Sequence, residues 1–353
     1  MHPKAEISVL CVQMCPDVSH LYRTLRGVLN VDKRKSGHFE VTDCIPVGPD
    51  ANGNYTVMFV FMTKRLTGLD FKATIRVRTV RQGSAMMYQK VRGSIRSNSV
   101  DTAPSAVLVR LRLTCMTDEV DHITPRGAGR RGNYVDLKFV TFYLPEDTML
   151  KFRMNARNRI LCDFLSQLRD CDDSPNRVMI CAGAYNYRLV LDPTKTLTTL
   201  RQIAGHNNRD SPRVGSSSSD REATKVFWEY LYPFDELQRL LAESRSGGGE
   251  DIEIMLRGFQ EKLPAFIPSF PRVTLDSVTE SMSEKLTEDL NIDKYFCMDT
   301  HEQVTPSWTD RIIWKDEITE KGSIKFSCLD DYRALNIVEH SRHCPVTATF
   351  RFS

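Results

Sequence analysis

The chain has 353 residues, enough to bury a large core in one big domain or two smaller ones. Its net charge is +3 and 26% of its residues are charged, a balance that gives no electrostatic case for a nucleic-acid partner. Ten cysteines without CxxC spacing or a Cys/His cluster argue against a zinc module. Cys11, Cys44, Cys115, Cys162, Cys181 and Cys328 lie in apolar runs, where a reduced thiol acts as a small hydrophobe. The first residues, MHPKAEIS, lack the apolar core of a signal peptide. No apolar run approaches the ~20 residues of a transmembrane helix, and TATFRFS is not a prenylation box. The expectation is a soluble, cytoplasmic protein with mostly reduced thiols.

In chain order, Glu6 to Met14 reads as a strand apolar on both faces, with Gln13 its polar interruption. Gln13 fits either a hydrogen-bonded core amide or a residue on the floor of a site. Leu21 to Leu29 suits a short helix, and Phe39 to Val47 a strand before the turn signal Gly48-Pro49-Asp50-Ala51-Asn52-Gly53. A β-rich block follows at Tyr55 to Met62, Phe71 to Val80, Ser84 to Val91, Ser105 to Leu113 and Tyr134 to Tyr143. Basic stretches at Lys90 to Arg96 and Arg126 to Arg131 fit solvated loops better than an anionic-lipid contact. Leu150 to Leu168 has helical spacing through Ile160, Leu161, Phe164, Leu165 and Leu168. It leads into Val178 to Ala182, an apolar strand that breaks at Gly183 and delivers Asn186 and Arg188 to the turn beyond. This strand–helix–strand order predicts a mixed sheet with helices outside.

Polar segments at 118–133 and 205–220 are predicted surface loops. Ala223 to Leu231 and Phe234 to Ser244 read as helices, with Gly247-Gly248-Gly249 breaking the chain after them. Gly258 to Pro271 is Pro-rich and irregular, and Ser277 to Leu290 is helix material. Val304 to Trp314 is a turn feeding a strand. Lys325 to Cys328 and Val346 to Phe352 close the chain as strands. No internal repeat or linker divides the sequence, so a single domain over 1–353 is expected.

Two stretches carry a specific likeness. Gly183-Ala184-Tyr185-Asn186-Tyr187-Arg188 resembles the Gly-Asp-x-Asn-Tyr-Arg motif of inositol polyphosphate 5-phosphatases. Pro306-Ser307-Trp308-Thr309-Asp310-Arg311 resembles that family's Pro-x-Trp-Thr/Cys-Asp-Arg. Arg157-Asn158, Gly258-Phe259-Gln260-Glu261 and Ser341-Arg342-His343-Cys344-Pro345-Val346 extend the resemblance, which runs from about Ile7 to Phe350 and is weakest before Ser105. It implies an endonuclease/exonuclease/phosphatase fold, an α+β sandwich of two packed mixed β-sheets flanked by helices. It also implies removal of a 5-phosphate from inositol phosphates or phosphoinositides with Mg²⁺ and an activated water.

On that resemblance Asn186, Asp310 and His343 are the catalytic candidates, Asp310 holding the imidazole. Arg188, Arg272 and Arg311 are substrate-binding candidates. Arg188 and Arg311 fit scaffold ion pairs as well, the commoner use of such residues. Gln13 and Asp50 are the metal candidates. The losses are larger. Ala184 stands where the family has its water-activating Asp, and a methyl group accepts no proton. Arg342 replaces an Asp beside the closing His. Thr141 and Tyr143 stand at an Asn and a His position, and Ala51 at a metal-binding Glu. The segment Pro268-Ser269-Phe270-Pro271-Arg272 lacks the Tyr hydroxyl and Lys charge that contact a neighbouring ring phosphate.

The resulting expectation is a pseudophosphatase, catalytically impaired, that acts as a phosphoinositide-binding or interaction module. Its ligand would be a phosphoinositide or inositol phosphate, with peripheral membrane contact and unidentified protein partners. Mg²⁺ is expected only if the chain is an active hydrolase with a rebuilt site, the alternative reading. A nuclease of the same fold is disfavoured, because Tyr187-Arg188-Leu189 follows the inositol phosphatase pattern and no dominant basic surface is evident.

Overall fold

The computed structural model describes residues 7–30, 39–47, 53–63, 71–81, 87–89, 105–115, 134–144, 153–169, 176–200, 230–247, 249–264, 266–272, 304–318, 326–329, 332–335 and 341–352. The segments 118–133 and 205–220, the stretch 277–290 expected from the sequence to be helical, and Asp50 and Ala51 lie outside them.

Alternation builds the centre. In β3 (Tyr55–Thr63), Val57, Phe59 and Phe61 point to one side and Met58, Val60 and Met62 to the other, and all six are buried. Such a strand belongs between neighbours, and β3 pairs antiparallel with β1 (Ile7–Cys15) and β2 (Phe39–Val47). The helix α1 (Val18–Asn30) covers the Phe59 side with Val18, Leu21, Tyr22 and Leu25, a one-face helical spacing. Asp17 caps it, its carboxylate accepting from the His20 N–H at 2.8 Å.

The other face of β3 packs on a six-stranded sheet. Its order is β5 (Met87–Gln89), β4 (Phe71–Arg81), β6 (Ser105–Cys115), β7 (Tyr134–Tyr143), β8 (Asn176–Ala184) and β9 (Asp310–Ile318). Met58 and Val60 meet Val107 and Val109 between the sheets, with Val9, Cys11 and Phe139 beside them. Each fully buried apolar side chain of this kind stabilises by about 1.5–3 kcal/mol. All pairings in the large sheet are antiparallel except β7 with β8. A parallel pair needs a crossover, and α2 (Arg153–Arg169) supplies it.

On the outer face, Ile160, Leu161, Phe164, Leu165 and Leu168 of α2 pack over Ala106, Leu108, Val140, Phe142, Cys181 and Ile313. They do so with α3 (Glu236–Arg245) and α4 (Asp251–Leu256). Asp235 caps α3, accepting from the Gln238 N–H at 2.9 Å. The expected helix 234–244 is therefore α3, starting after its cap. The helix α4 was not expected, because it is six residues long and follows the glycine run. The Glu253 carboxylate accepts from the Glu250 N–H at 3.1 Å and stabilises its first turn.

The closing segment also differs from expectation. Val346 to Phe352 is two short strands, Val346–Thr347 and Phe350–Phe352. The first pairs with Arg333–Ala334 and the second with Phe326–Cys328. Among the described residues no helix is long and apolar enough to cross a membrane.

Candidate functional site

Strand parity places the site. Inward-facing positions alternate along β7, β8 and β9, and Val178, Ile180, Ile312 and Trp314 line the space between the sheets. Continuing the same parity to the strand ends brings Tyr143, Ala184 and Asp310 into one cross-strand row. Thr141, Ala182 and Ile312 form the row beneath. Parallel β7 and β8 end at the same edge, where antiparallel β9 begins, so both sequence motifs arrive together. Gly183 makes the junction tight. A Cβ built on it would lie 2.2 Å from the Phe142 carbonyl oxygen.

Asp310 is densely bonded. Its Oδ2 accepts from the Ser269 hydroxyl at 2.8 Å and the Thr309 hydroxyl at 2.9 Å, and lies 3.0 Å from His343 Nδ1. Against a carboxylate, which only accepts, Nδ1 carries the proton. The His343 ring packs on Phe270 with centroids 4.5 Å apart.

Asn186 follows directly after β8 at φ 54°, a left-handed conformation that Asn tolerates better than most residues. The Tyr185 and Asn186 N–H groups both donate to the Thr309 carbonyl, at 2.8 and 3.4 Å, stitching the first motif to the second. The Asn186 side-chain Nδ2 donates to the Leu144 carbonyl, which fixes the amide's orientation. Its Oδ1 is enclosed and has no hydrogen-bond partner among the described residues. An unpaired buried acceptor costs about 1–3 kcal/mol, so this atom suits a donor such as a water or a ligand hydroxyl.

The remaining expected residues divide. Gln13 Nε2 donates to Thr141 Oγ1 at 2.8 Å, bridging β1 and β7 beneath the site. Burial pushes the neighbouring Cys11 thiol up to about 12, with a hydrogen bond to Thr141 offsetting part of it. An amide, a hydroxyl and a protonated thiol do not fit Mg²⁺, which wants carboxylate and water oxygens. Among the described residues no group of three or more His, Cys, Asp or Glu could hold a metal.

Arg311 lies inside the protein. Its guanidinium is fully enclosed, with Nε and Nη2 each 2.6 Å from a Glu261 oxygen and Nη1 2.9 Å from Asp235. Tyr332 donates to Glu261 at 2.8 Å. This network ties β9, the cap of α3 and the 258–272 segment together, the scaffold alternative weighed for this residue. Arg188 is close to the site, its Cζ 4.4 Å from the Phe270 ring centroid. Glu236 anchors its backbone, accepting from the Arg188 N–H at 2.8 Å and from Arg157 at 3.1 Å. Tyr187 donates to Asn158 at 2.6 Å, so the Arg157-Asn158 pair also serves this turn. Arg272 is buried, its N–H donating to the Arg342 carbonyl at 2.7 Å.

Ser269, Thr309 and Phe270 contribute contacts that reading the sequence did not assign. Phe270 registered only as a missing hydroxyl, yet it is the surface on which His343 and two arginines lie. Glu261 had a signal, a carboxylate in an apolar, Pro-rich segment, which needs a buried cation nearby.

No protein-family model matches the sequence, and no curated protein matches it. Among solved structures, the chain is similar to the inositol polyphosphate 5-phosphatase domain of SpSynaptojanin in complex with inositol (1,4)-bisphosphate and calcium. The TM-score is 0.56 at 15% identity, covering 99% of this chain and 76% of that one. It is also similar to a Cimex nitrophorin mutant solved as a ferrous NO complex, with TM-score 0.50 at 12% identity, covering 100% and 89%. At such identities the likeness is one of fold. The chain has an α+β sandwich fold like that of this inositol polyphosphate 5-phosphatase domain. One such framework carries both an inositol phosphate complex and an NO complex, so function must be argued from the site.

Proposed function

We propose that this chain is a divergent relative of the inositol polyphosphate 5-phosphatases that binds an inositol phosphate or phosphoinositide headgroup with little or no hydrolysis. The carrying observation is Ala184. It is buried between Tyr143 and Asp310 in the row where the two motifs meet. General-base catalysis is worth about 10²–10⁴-fold, and this row offers a methyl where a base is needed. The Asp310–His343 pair supports retention of the headgroup, since the carboxylate holds the imidazole at the edge where the two motifs meet.

The test is a turnover assay with Mg²⁺ on phosphatidylinositol 4,5-bisphosphate and soluble inositol trisphosphate, run beside an intact family member. The expected rate is at least about 10²-fold lower. A rate near that of the intact enzyme, lost on Asn186→Ala or His343→Ala, overturns the proposal. The second reading, an active Mg²⁺-dependent phosphatase with a rebuilt site, draws on the same Asp310–His343 pair. It assigns the metal to Asp50 and the water or leaving group to His343. It requires Asp50→Asn to abolish Mg²⁺-dependent turnover.

A further inference from the structure

The first strand ends on a strained residue. Val12 pairs with Val57 and Cys15 with Tyr55, so Gln13 and Met14 together face Thr56 alone, a β-bulge. Gln13 turns inward to Thr141 at 2.8 Å. Met14 stays at the surface, 45% exposed, at φ 55°. That is the left-handed region, where a Cβ crowds the neighbouring carbonyl and which glycine enters without steric cost. Asn186 shares this backbone conformation and anchors it through its amide. A thioether has no donor with which to do the same. The fold therefore holds an apolar side chain outward at a backbone cost that burial does not offset.

The helix that follows carries one sign of charge. No Asp or Glu occurs in α1, and Asp17 ahead of it is its cap. Its apolar side, Val18, Leu21, Tyr22 and Leu25, is committed to the small sheet. His20, Arg23 and Arg26 recur every three residues, which places them along one face, and all three are exposed. Arg23 Nε donates to the Ser19 carbonyl at 3.3 Å, within its own helix, and Arg26 Cζ lies 5.8 Å from the Tyr22 ring centroid. From Met14 to Lys35 the sequence has five Lys and Arg against two Asp. An exposed apolar side chain beside a cationic helix face complements an anionic bilayer. The thioether enters the interfacial layer, and the guanidinia meet lipid phosphates and carboxylates.

We infer that the corner between β1 and α1 docks on an anionic lipid bilayer, with Met14 in the interface and Arg23 on the headgroups. The inference goes beyond the headgroup binding proposed above, since it requires no phosphoinositide. It also gives that binding a setting. Met14 adjoins Gln13, which bonds to Thr141 in the row beneath the motif junction, so docking at this corner brings the candidate site close to the bilayer.

The experiment is co-sedimentation of the full chain with vesicles of phosphatidylcholine alone and of equal parts phosphatidylcholine and phosphatidylserine, both without phosphoinositide. Binding is expected to the mixed vesicles, and to weaken as salt is added. Met14→Gly should weaken it about fivefold, through loss of the apolar contact, and Met14→Leu should preserve it. Arg23→Glu should weaken it about tenfold. The urea midpoint of Met14→Gly should equal or exceed that of the natural chain, because glycine relieves the backbone strain. A lower midpoint assigns Met14 to the fold and overturns the inference. So does a chain that ignores the mixed vesicles, or binds them equally well after Met14→Gly and Arg23→Glu. Self-association abolished by Met14→Gly, with no vesicle binding, assigns the corner to a second copy and also overturns it. Titration with soluble inositol (1,4)-bisphosphate tests the headgroup reading separately, so either reading can fail while the other stands.

Discussion

Ala184 is paired with Asp310 across β8 and β9, so the methyl in the first motif stands directly beside the carboxylate of the second. Directly opposed residues in a sheet have Cβ atoms about 4.5–5.5 Å apart, and like charges at that spacing destabilise. Ala184→Asp should therefore lower stability by about 1–3 kcal/mol, because the new carboxylate is buried next to an existing one. The urea unfolding midpoint at pH 7 measures it.

Asn186 combines a left-handed backbone with a side-chain bond to the Leu144 carbonyl. Asn186→Ala should cost about 1–3 kcal/mol by leaving that carbonyl without its donor and placing a Cβ residue less tolerant of positive φ. Asn186→Gly should cost less, since glycine relieves the backbone part alone. The difference between the two variants in equilibrium unfolding isolates the backbone contribution.

Gly183 has no room for a methyl, since its Cβ would meet a carbonyl oxygen rather than a flexible side chain. Gly183→Ala should separate the ends of β7 and β8 and cost at least about 2 kcal/mol. Faster amide exchange at Leu144, whose N–H donates to the Ala184 carbonyl at 2.9 Å, is the local signature.

Arg311 holds Glu261 and Asp235 inside the protein. Arg311→Ala strands two buried carboxylates and should cost about 3–5 kcal/mol. Arg311→Lys should recover part of this, because one ammonium cannot reproduce the two-pronged contact with Glu261. Denaturant unfolding of the two variants checks the order.

Glu317 gives a pH dependence far from the site. Burial alone raises its carboxyl, but hydrogen bonds from Lys315 and Arg177 outweigh this and hold it below the ordinary value of 4.5. A depressed folded pKa contributes stability above the unfolded value and loses it as pH falls through the folded one. The pair is partly solvated, so the contribution is below about 1 kcal/mol. The melting-temperature gap between the natural chain and Glu317→Gln should be widest near pH 7 and close towards pH 3.

Local patterns in the chain were sufficient for much of the framework. The two-residue alternation of β3 and the apolar spacing of α2 are imposed by short-range geometry, so they are visible in the residues themselves. The alanine at 184 was equally legible, because it is an identity and needs no coordinates. What side chains do with one another depended on the folded register. Gln13 meets Thr141 across 128 positions, and Ser269 meets Asp310 across 41. No periodicity encodes such partners. They follow from which strand ends share an edge, and packing then decides that Arg311 belongs to the interior while Arg188 and Arg342 gather on Phe270.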